Sequence, residues 1–192
     1  MDITGSESDL KAAFINYNIQ YVFNYAACPY VPLSFERPLH VCNVNAFGAM
    51  KVINAAHEAG VKAILQVSSA ELYGHDGMYK SDSLTEESRV QPHSSYGASK
   101  AMIDFYVQAR WKEAKVPCIA LRQFNCMGER ETHPYVITEI LSQLYRGDGI
   151  KVRLGNDTRR DFMYAGDAVR DAALLMENGD FGEVYNLGSQ TD

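Results

Sequence analysis

Tyr96 and Lys100 stand four residues apart in Tyr96-Gly97-Ala98-Ser99-Lys100, so a helix through them presents a phenol and an ammonium on one face. Upstream, Val67-Ser68-Ser69 closes an apolar run with two hydroxyls. Together these groups suit removal of a hydride from an alcohol carbon. Such an oxidation also requires the hydroxyl proton to leave, and a phenol with its ordinary pKa of about 10 is too weak a base near neutrality. A nearby ammonium and an oxidised nicotinamide would both favour the phenolate and bring it toward working pH. Ser69 would hold the substrate oxygen in line with Tyr96, while a bound cofactor carries the redox step and the protein orients it. A Tyr–Lys pair at this spacing also occurs on many helices as a plain surface contact. The upstream strand ending in Ser-Ser, followed by Tyr73-Gly74, makes the combination more specific.

These side chains need a scaffold, and the chain alternates strand and helix from start to finish. Leu10–Ile15 reads as a short helix, Tyr21–Ala27 as a buried strand, and Val44–Ala59 as a helix stopped by Gly60. Ala63–Val67 is a short apolar run, the mark of a strand covered on both faces. A polar loop over residues 75–93 precedes a long helix, Tyr96–Ala114, with Ser94 or Ser95 as its cap. The spacing then predicts strand Pro117–Leu121, helix Tyr135–Tyr145, strand Ile150–Leu154, helix Ala168–Met176 and strand Val184–Leu187. This alternation predicts an α/β fold, a Rossmann-like doubly wound parallel sheet with helices on both faces. Ligands of such sheets bind beyond the carboxyl ends of the strands, which is where Ser68 and Ser69 fall.

One expected feature is missing. Such a sheet normally opens with a G-x-G-x-x-G turn whose helix N-terminus holds a pyrophosphate, and no such pattern occurs in the 192 residues. The expectation is a domain lacking its N-terminal glycine-rich unit and truncated at both ends. The strand at Tyr21 should then have an open edge that exposes Val22 and Phe23.

Composition narrows the function classes. The chain is 46% hydrophobic and 22% charged with a formal net charge of -6, close to an average globular protein. It has no Lys/Arg run and no interleaving of basic and aromatic residues, so nucleic-acid binding has no support. The uncharged stretch from Ala12 to Phe35 is broken by Asn16, Asn18, Gln20, Asn24, Pro29 and Pro32, which a membrane helix would not tolerate. Cys28, Cys42, Cys118 and Cys126 show no C-x-x-C pairing and no histidine at zinc-like spacing. Reduced thiols in a cytoplasmic protein and no metal site are the expectation.

Ser68-Ser69-Ala70-Glu71-Leu72-Tyr73-Gly74 with Tyr96-x-x-x-Lys100 resembles the NAD-dependent epimerase/dehydratase family, the extended short-chain dehydrogenases, over nearly the whole chain. Asp2-Ile3 is similar to the segment that contacts the adenine ring, and Asn24-Tyr25-Ala26-Ala27 to the turn that passes the cofactor's phosphates and ribose. Asn45-Ala46-Phe47-Gly48 is similar to the N-x-x-G element. Arg122-Gln123-Phe124-Asn125 and Arg160-Asp161-Phe162 resemble the elements whose Asn and Arg meet the diphosphate of a nucleotide-sugar. Pro134-Tyr135-Val136 resembles the segment opening the substrate-side helix.

The resemblance implies NAD as cofactor, with NADP left open, and a nucleotide-sugar oxidised transiently at its C4. Ser69, Tyr96, Lys100 and Glu71 would be catalytic, and Ser69, Asn125 and Arg160 would bind substrate. Asp2, Ile3, Tyr25, Ala26, Ala27, Asn45, Ser68, Tyr96, Lys100 and Phe124 would bind cofactor. Residues 1–128 would form the NAD-binding domain, 129–165 part of a smaller substrate-binding region, and 166–192 a helix and strand returning to the sheet. Two copies would associate through the long helices.

Glu71 stands where 4,6-dehydratases of the family have the Glu of Thr-Asp-Glu, but Ala70 replaces the Asp that would protonate the departing hydroxyl. Plainer readings stay open. Asn45 could be only a brace, Tyr25 and Phe124 only core, Glu71 a solvated carboxylate, and Arg160 a surface partner of Asp157 or Asp161. A reductase of a non-nucleotide substrate and a non-catalytic cofactor-binding fragment are the alternatives for the whole.

Overall fold

A computed structural model describes residues 1–74, 84–147, 149–151 and 160–189. The chain runs α1 (Glu7–Asn16), β1 (Tyr21–Asn24), α2 (Val31–Glu36) and α3 (Pro38–Cys42). It continues through a π-helical turn (Asn43–Gly48) into α4 (Ala49–Glu58), then β2 (Ala63–Val67) and a 3₁₀ turn (Ala70–Tyr73). After α5 (Ser95–Ala114) come β3 (Cys118–Gln123), β4 (Asn125–Met127), α6 (Val136–Arg146), β5 (Phe162–Tyr164), α7 (Ala165–Asn178) and β6 (Val184–Leu187).

Four strands form one parallel sheet in the order β1-β2-β3-β6, and β4 and β5 form a separate parallel pair. Parallel neighbours need crossovers, and helices supply them on both sides of the sheet. Strand alternation sorts the core into two layers. Ile64, Cys118 and Ala120 pack with Ala49, Ile53 and Ala56 of α4 and with Ile103 and Val107 of α5. Leu65, Val67, Ile119 and Leu121 point the other way, onto Ala168, Ala172 and Met176 of α7. Every residue of β2 is buried, including Gln66, whose amide is satisfied by Asn24 and Val67 O. This is the α/β Rossmann-like sheet that the alternation predicts.

Several elements differ from the expectation. β1 is not a buried strand reaching Ala27 but a four-residue edge, with Tyr21 and Phe23 exposed. Val22 is half-buried against Leu10, Val52 and Ala55, so only part of the edge faces solvent. The helix expected over Val44–Ala59 begins earlier, at Pro38, and passes through the π turn. Proline at the first helical position costs no hydrogen bond, which permits that start. The helices Val31–Glu36 and Pro38–Cys42 and the strand pair Asn125–Met127/Phe162–Tyr164 carry no clear periodicity, being too short to show one. Of the strand expected over Ile150–Leu154, Ile150 and Lys151 have no regular structure and the rest lies outside the described residues. The loop expected over 75–93 lies outside them through residue 83.

Candidate active site

At the carboxyl edge of β2 the chain leaves the sheet as Ser68-Ser69 and turns at once into the 3₁₀ segment. Ser69 caps this turn, its hydroxyl accepting from the Glu71 amide at 3.2 Å. Two glycines let neighbouring segments close on it. Gly74 has φ +66, and a Cβ there would strike the Gln91 carbonyl; the Gln91 amide meanwhile donates to Leu72 O at 2.9 Å. A Cβ on Gly97 would lie 2.8 Å from the Glu71 carbonyl, so the first turn of α5 sits directly against the Glu71 turn. Ser94 caps α5 by accepting from the Gly97 amide at 3.0 Å.

This packing brings Ser68, Ser69, Tyr96, Lys100 and Glu71 together. Tyr96 is buried, and the Ser69 hydroxyl lies near enough to its phenol to favour the anion. Lys100 is 3% exposed, and its ammonium donates to Val67 O at 2.9 Å while lying 5.9 Å from the Tyr96 ring centroid. Ser68 donates to Lys100 O at 3.3 Å, which ties the strand end to the helix. Val67 O is the only acceptor of Lys100 among the described residues. An ammonium has three donors.

Burial pushes the phenol up to about 12, opposed by the nearby Ser69 hydroxyl and reinforced by the Glu71 charge. Burial also brings the Lys100 ammonium down to about 8. That ammonium is turned onto a backbone carbonyl.

The other candidate residues fall into three groups. Asn45 is buried on the π turn; its carbonyl accepts from the Cys28 amide at 2.7 Å, and its amide donates to Cys28 O at 3.2 Å and Ser99 Oγ at 3.3 Å. It thus ties the loop after β1 to α5. In that loop Tyr25 and Ala26 are exposed and Ala27 is half-buried. At the N-terminus, the exposed Asp2 carboxylate accepts from the amide and hydroxyl of Thr4 at 2.9 and 2.8 Å. Ile3 packs on Leu10, Val52 and Ala55. Half-buried Phe124 lies on Leu72, Tyr73 and Ala101. On the substrate side, Asn125 pairs in register with Phe162 and donates to the Asp161 carbonyl at 3.2 Å. Asn125 and the Arg160-Asp161 segment therefore meet across β4 and β5.

Other contacts have no signal in the linear sequence. Arg122 forms a buried ion pair with Asp104 at 2.7 Å and donates to Tyr73 Oη at 2.8 Å; that hydroxyl donates to Asn186 Oδ1 at 2.7 Å. The imidazole of His93 lies 3.8 Å from the Glu71 carboxylate. Tyr30 stacks on His133 with centroids 4.9 Å apart, and Tyr135 closes this aromatic group by donating to Pro29 O at 3.0 Å. All four cysteines are free, and burial raises Cys126, which does not favour a nucleophile. Among the described residues no group of three His, Cys, Asp or Glu could hold a metal, and no helix is long and apolar enough to cross a membrane.

The sequence pattern of the NAD dependent epimerase/dehydratase family matches residues 1–188, and the chain belongs to that family. It is 33% identical over 180 residues to the dTDP-D-glucose 4,6-dehydratase of Mus musculus, covering 94% of this chain and 50% of that protein. To the UDP-glucose 4-epimerase of Lactobacillus helveticus it is 30% identical, covering 89% of this chain and 57% of that protein. A double mutant of the dTDP-glucose 4,6-dehydratase from Streptomyces venezuelae, solved with NAD bound, superposes with a TM-score of 0.88 at 26% identity. That match covers 100% of this chain and 57% of the solved one. The chain spans about half the length of the curated relatives it matches.

Proposed function

We propose that this chain carries the catalytic group of an NAD-dependent nucleotide-sugar epimerase/dehydratase that oxidises its sugar transiently at C4, with Tyr96 as the base. The observation that carries this reading is the convergence of Ser69, Tyr96 and Lys100 at the carboxyl edge of a buried parallel strand. The relatives named as dTDP-glucose 4,6-dehydratases and UDP-glucose 4-epimerases give the substrate class.

The residues fit the nicotinamide-ribose half of the cofactor. Lys100 is a buried ammonium with donors beyond the one that Val67 O takes, which suits a ribose diol. Ser68, Asn45 and Phe124 line the same strand ends, and Tyr25, Ala26 and Ala27 lie in the loop after β1. Asp2 and Ile3 are assigned to the adenine end. When bound, the oxidised nicotinamide supplies a hydride acceptor and a positive charge.

Ser69 holds the C4 hydroxyl against Tyr96, whose phenol takes the proton as the carbon is oxidised. Burial raises Tyr96 and so makes its anion strongly basic once formed; a cation beside it is required to form that anion near neutrality. Asn125 and Arg160, joined through β4 and β5, grip the diphosphate, Arg160 in the bidentate manner of a guanidinium on phosphate. Exposed Met102 and Phe105 on α5 support association of two copies through that helix. The free cysteines fit a reducing, cytoplasmic setting.

Substitution of Tyr96 by Phe tests the base directly. With dTDP-glucose and UDP-glucose as probes, it should lower turnover by about 10²-fold or more while NAD affinity stays within about twofold. Turnover at the wild-type rate would remove Tyr96 from the chemistry.

A further inference from the structure

Ala70 leaves the turn after β2 with one carboxylate, Glu71, in place of two acids. The Ala70 methyl packs toward Leu72, Tyr73 and Ala101. Elimination of water from a sugar needs a base at one carbon and an acid at the neighbouring oxygen. The structure places a second titratable group beside Glu71 from another segment. His93, three residues before Tyr96, holds its Nε2 3.8 Å from the Glu71 carboxylate, with the two side chains 20% and 26% exposed. Both remain reachable from solvent, unlike the buried Lys100 and Asp104. Glu71 is felt electrostatically by both the Tyr96 and Tyr135 phenols, so its carboxylate lies where the substrate-side helix meets the catalytic one.

We propose that His93 and Glu71 act as one acid–base pair, and that this pair makes loss of water across C5 and C6 the reaction of the site. The inference rests on the reading of Tyr96 as the base for oxidation at C4. The Glu71 carboxylate takes the C5 proton, made acidic by the neighbouring C4 carbonyl. The C5–H electron pair becomes the C5=C6 bond, and the C6–O bond breaks. The oxygen leaves as water with a proton from the His93 imidazolium. Glu71 is then protonated and His93 neutral. The hydride removed at C4 returns to C6, and the solvent-exchangeable Glu71 proton goes to C5, giving the 4-keto-6-deoxy sugar. His93 regains its proton from solvent. At 3.8 Å the contact is longer than a hydrogen bond, and acid–base pairs commonly tighten when substrate binds. The pair is held in place by the segment itself: Pro92 packs on Gly97, and the Gln91 amide is fixed on Leu72 O.

The test separates oxidation from elimination. With dTDP-glucose and UDP-glucose as probes, nicotinamide absorbance reports oxidation, and deuterium uptake from solvent with release of a 4-keto-6-deoxy product reports elimination. His93→Gln and Glu71→Gln should each keep single-turnover nicotinamide reduction within about threefold of wild type, with KM little changed, and lower product release at least tenfold. The double variant should be no worse than the poorer single one, because the two act as a unit. As a check without turnover, Glu71→Gln should move the His93 Cε1–H resonance, while Glu58→Gln should not. Product release at the wild-type rate in His93→Gln overturns the pair, as does loss of nicotinamide reduction in that variant, which would make His93 structural. A wild-type protein that never reduces its nicotinamide with either probe overturns the Tyr96 reading, and this inference with it.

Discussion

The carboxyl edge of β2 and β3 and the region of β4, β5 and α6 meet at one site but are built oppositely. In the first, every residue of β2 is buried and the Arg122–Asp104 pair is 3% and 0% exposed. In the second, two three-residue strands pair with each other alone among the described residues, and α6 has no buried residue. Leu141, Leu144 and Tyr145 of α6 stand exposed. Proton transfer demands atoms held within a few tenths of an ångström, and burial with satisfied hydrogen bonds supplies that. Gripping a flexible diphosphate demands less, and weakly packed elements open at little cost. Tyr96 and its helix are held by the core; the groups assigned to the substrate are held mainly by one another.

Breaking the rigid region should produce the largest effect. Arg122→Ala leaves the Asp104 carboxylate buried without its partner and frees Tyr73 Oη, and should cost about 3–5 kcal/mol of unfolding free energy. Denaturant melts with an unchanged m-value would show this as lost stability and not a changed unfolded state. A cost below about 1 kcal/mol would mean that the rigid edge does not depend on this network.

The next effect is a pH dependence. Lys100 has its pKa lowered from 10.5 to about 8, so the buried ammonium opposes folding fully below about 8. As pH rises from there toward 10.5 the folded state has given up a proton that the unfolded state keeps, and stability rises by roughly 3 kcal/mol. Tyr96, raised from 10.0 to about 12, acts in reverse above 10, where only the unfolded phenol ionises. A net gain is therefore expected between about 8 and 10, and Lys100→Met should remove it in melts across that window. An unchanged slope in the variant would place the titration elsewhere.

In the loosely packed region, Arg160→Ala should raise KM for a nucleotide-sugar at least tenfold, about 1.4 kcal/mol, with little change in stability. An unchanged KM would return Arg160 to the role of a surface ion-pair partner. The smallest expected effect on the fold comes from α5's outer face. Phe105 is 53% exposed, so Phe105→Glu should shift stability by less than about 0.5 kcal/mol yet weaken self-association in sedimentation velocity. Association identical to wild type would move the interface off α5.

Local pattern alone determined a large part of this protein. The short, mostly apolar run Ala63–Val67 reads as a covered strand, and the fold buries even Gln66 by pairing its amide with Asn24 and Val67 O. The four-residue spacing of Tyr96 and Lys100 placed them on one helix face, and Ser94-Ser95 marked where that helix starts, with Ser94 the cap in the fold. Tertiary structure decided what depends on distance through space. The Arg122–Asp104 pair spans 18 residues, the Tyr73–Asn186 bond 113, and nothing along the chain announces either. An open edge at β1 was expected from the sequence, and Phe23 is exposed there, but only the fold packs Val22 on Leu10, Val52 and Ala55. Proton affinity was decided in the same way. Spacing puts an ammonium near a phenol, but only the fold turns that ammonium onto Val67 O and buries both, which drives Tyr96 up and Lys100 down.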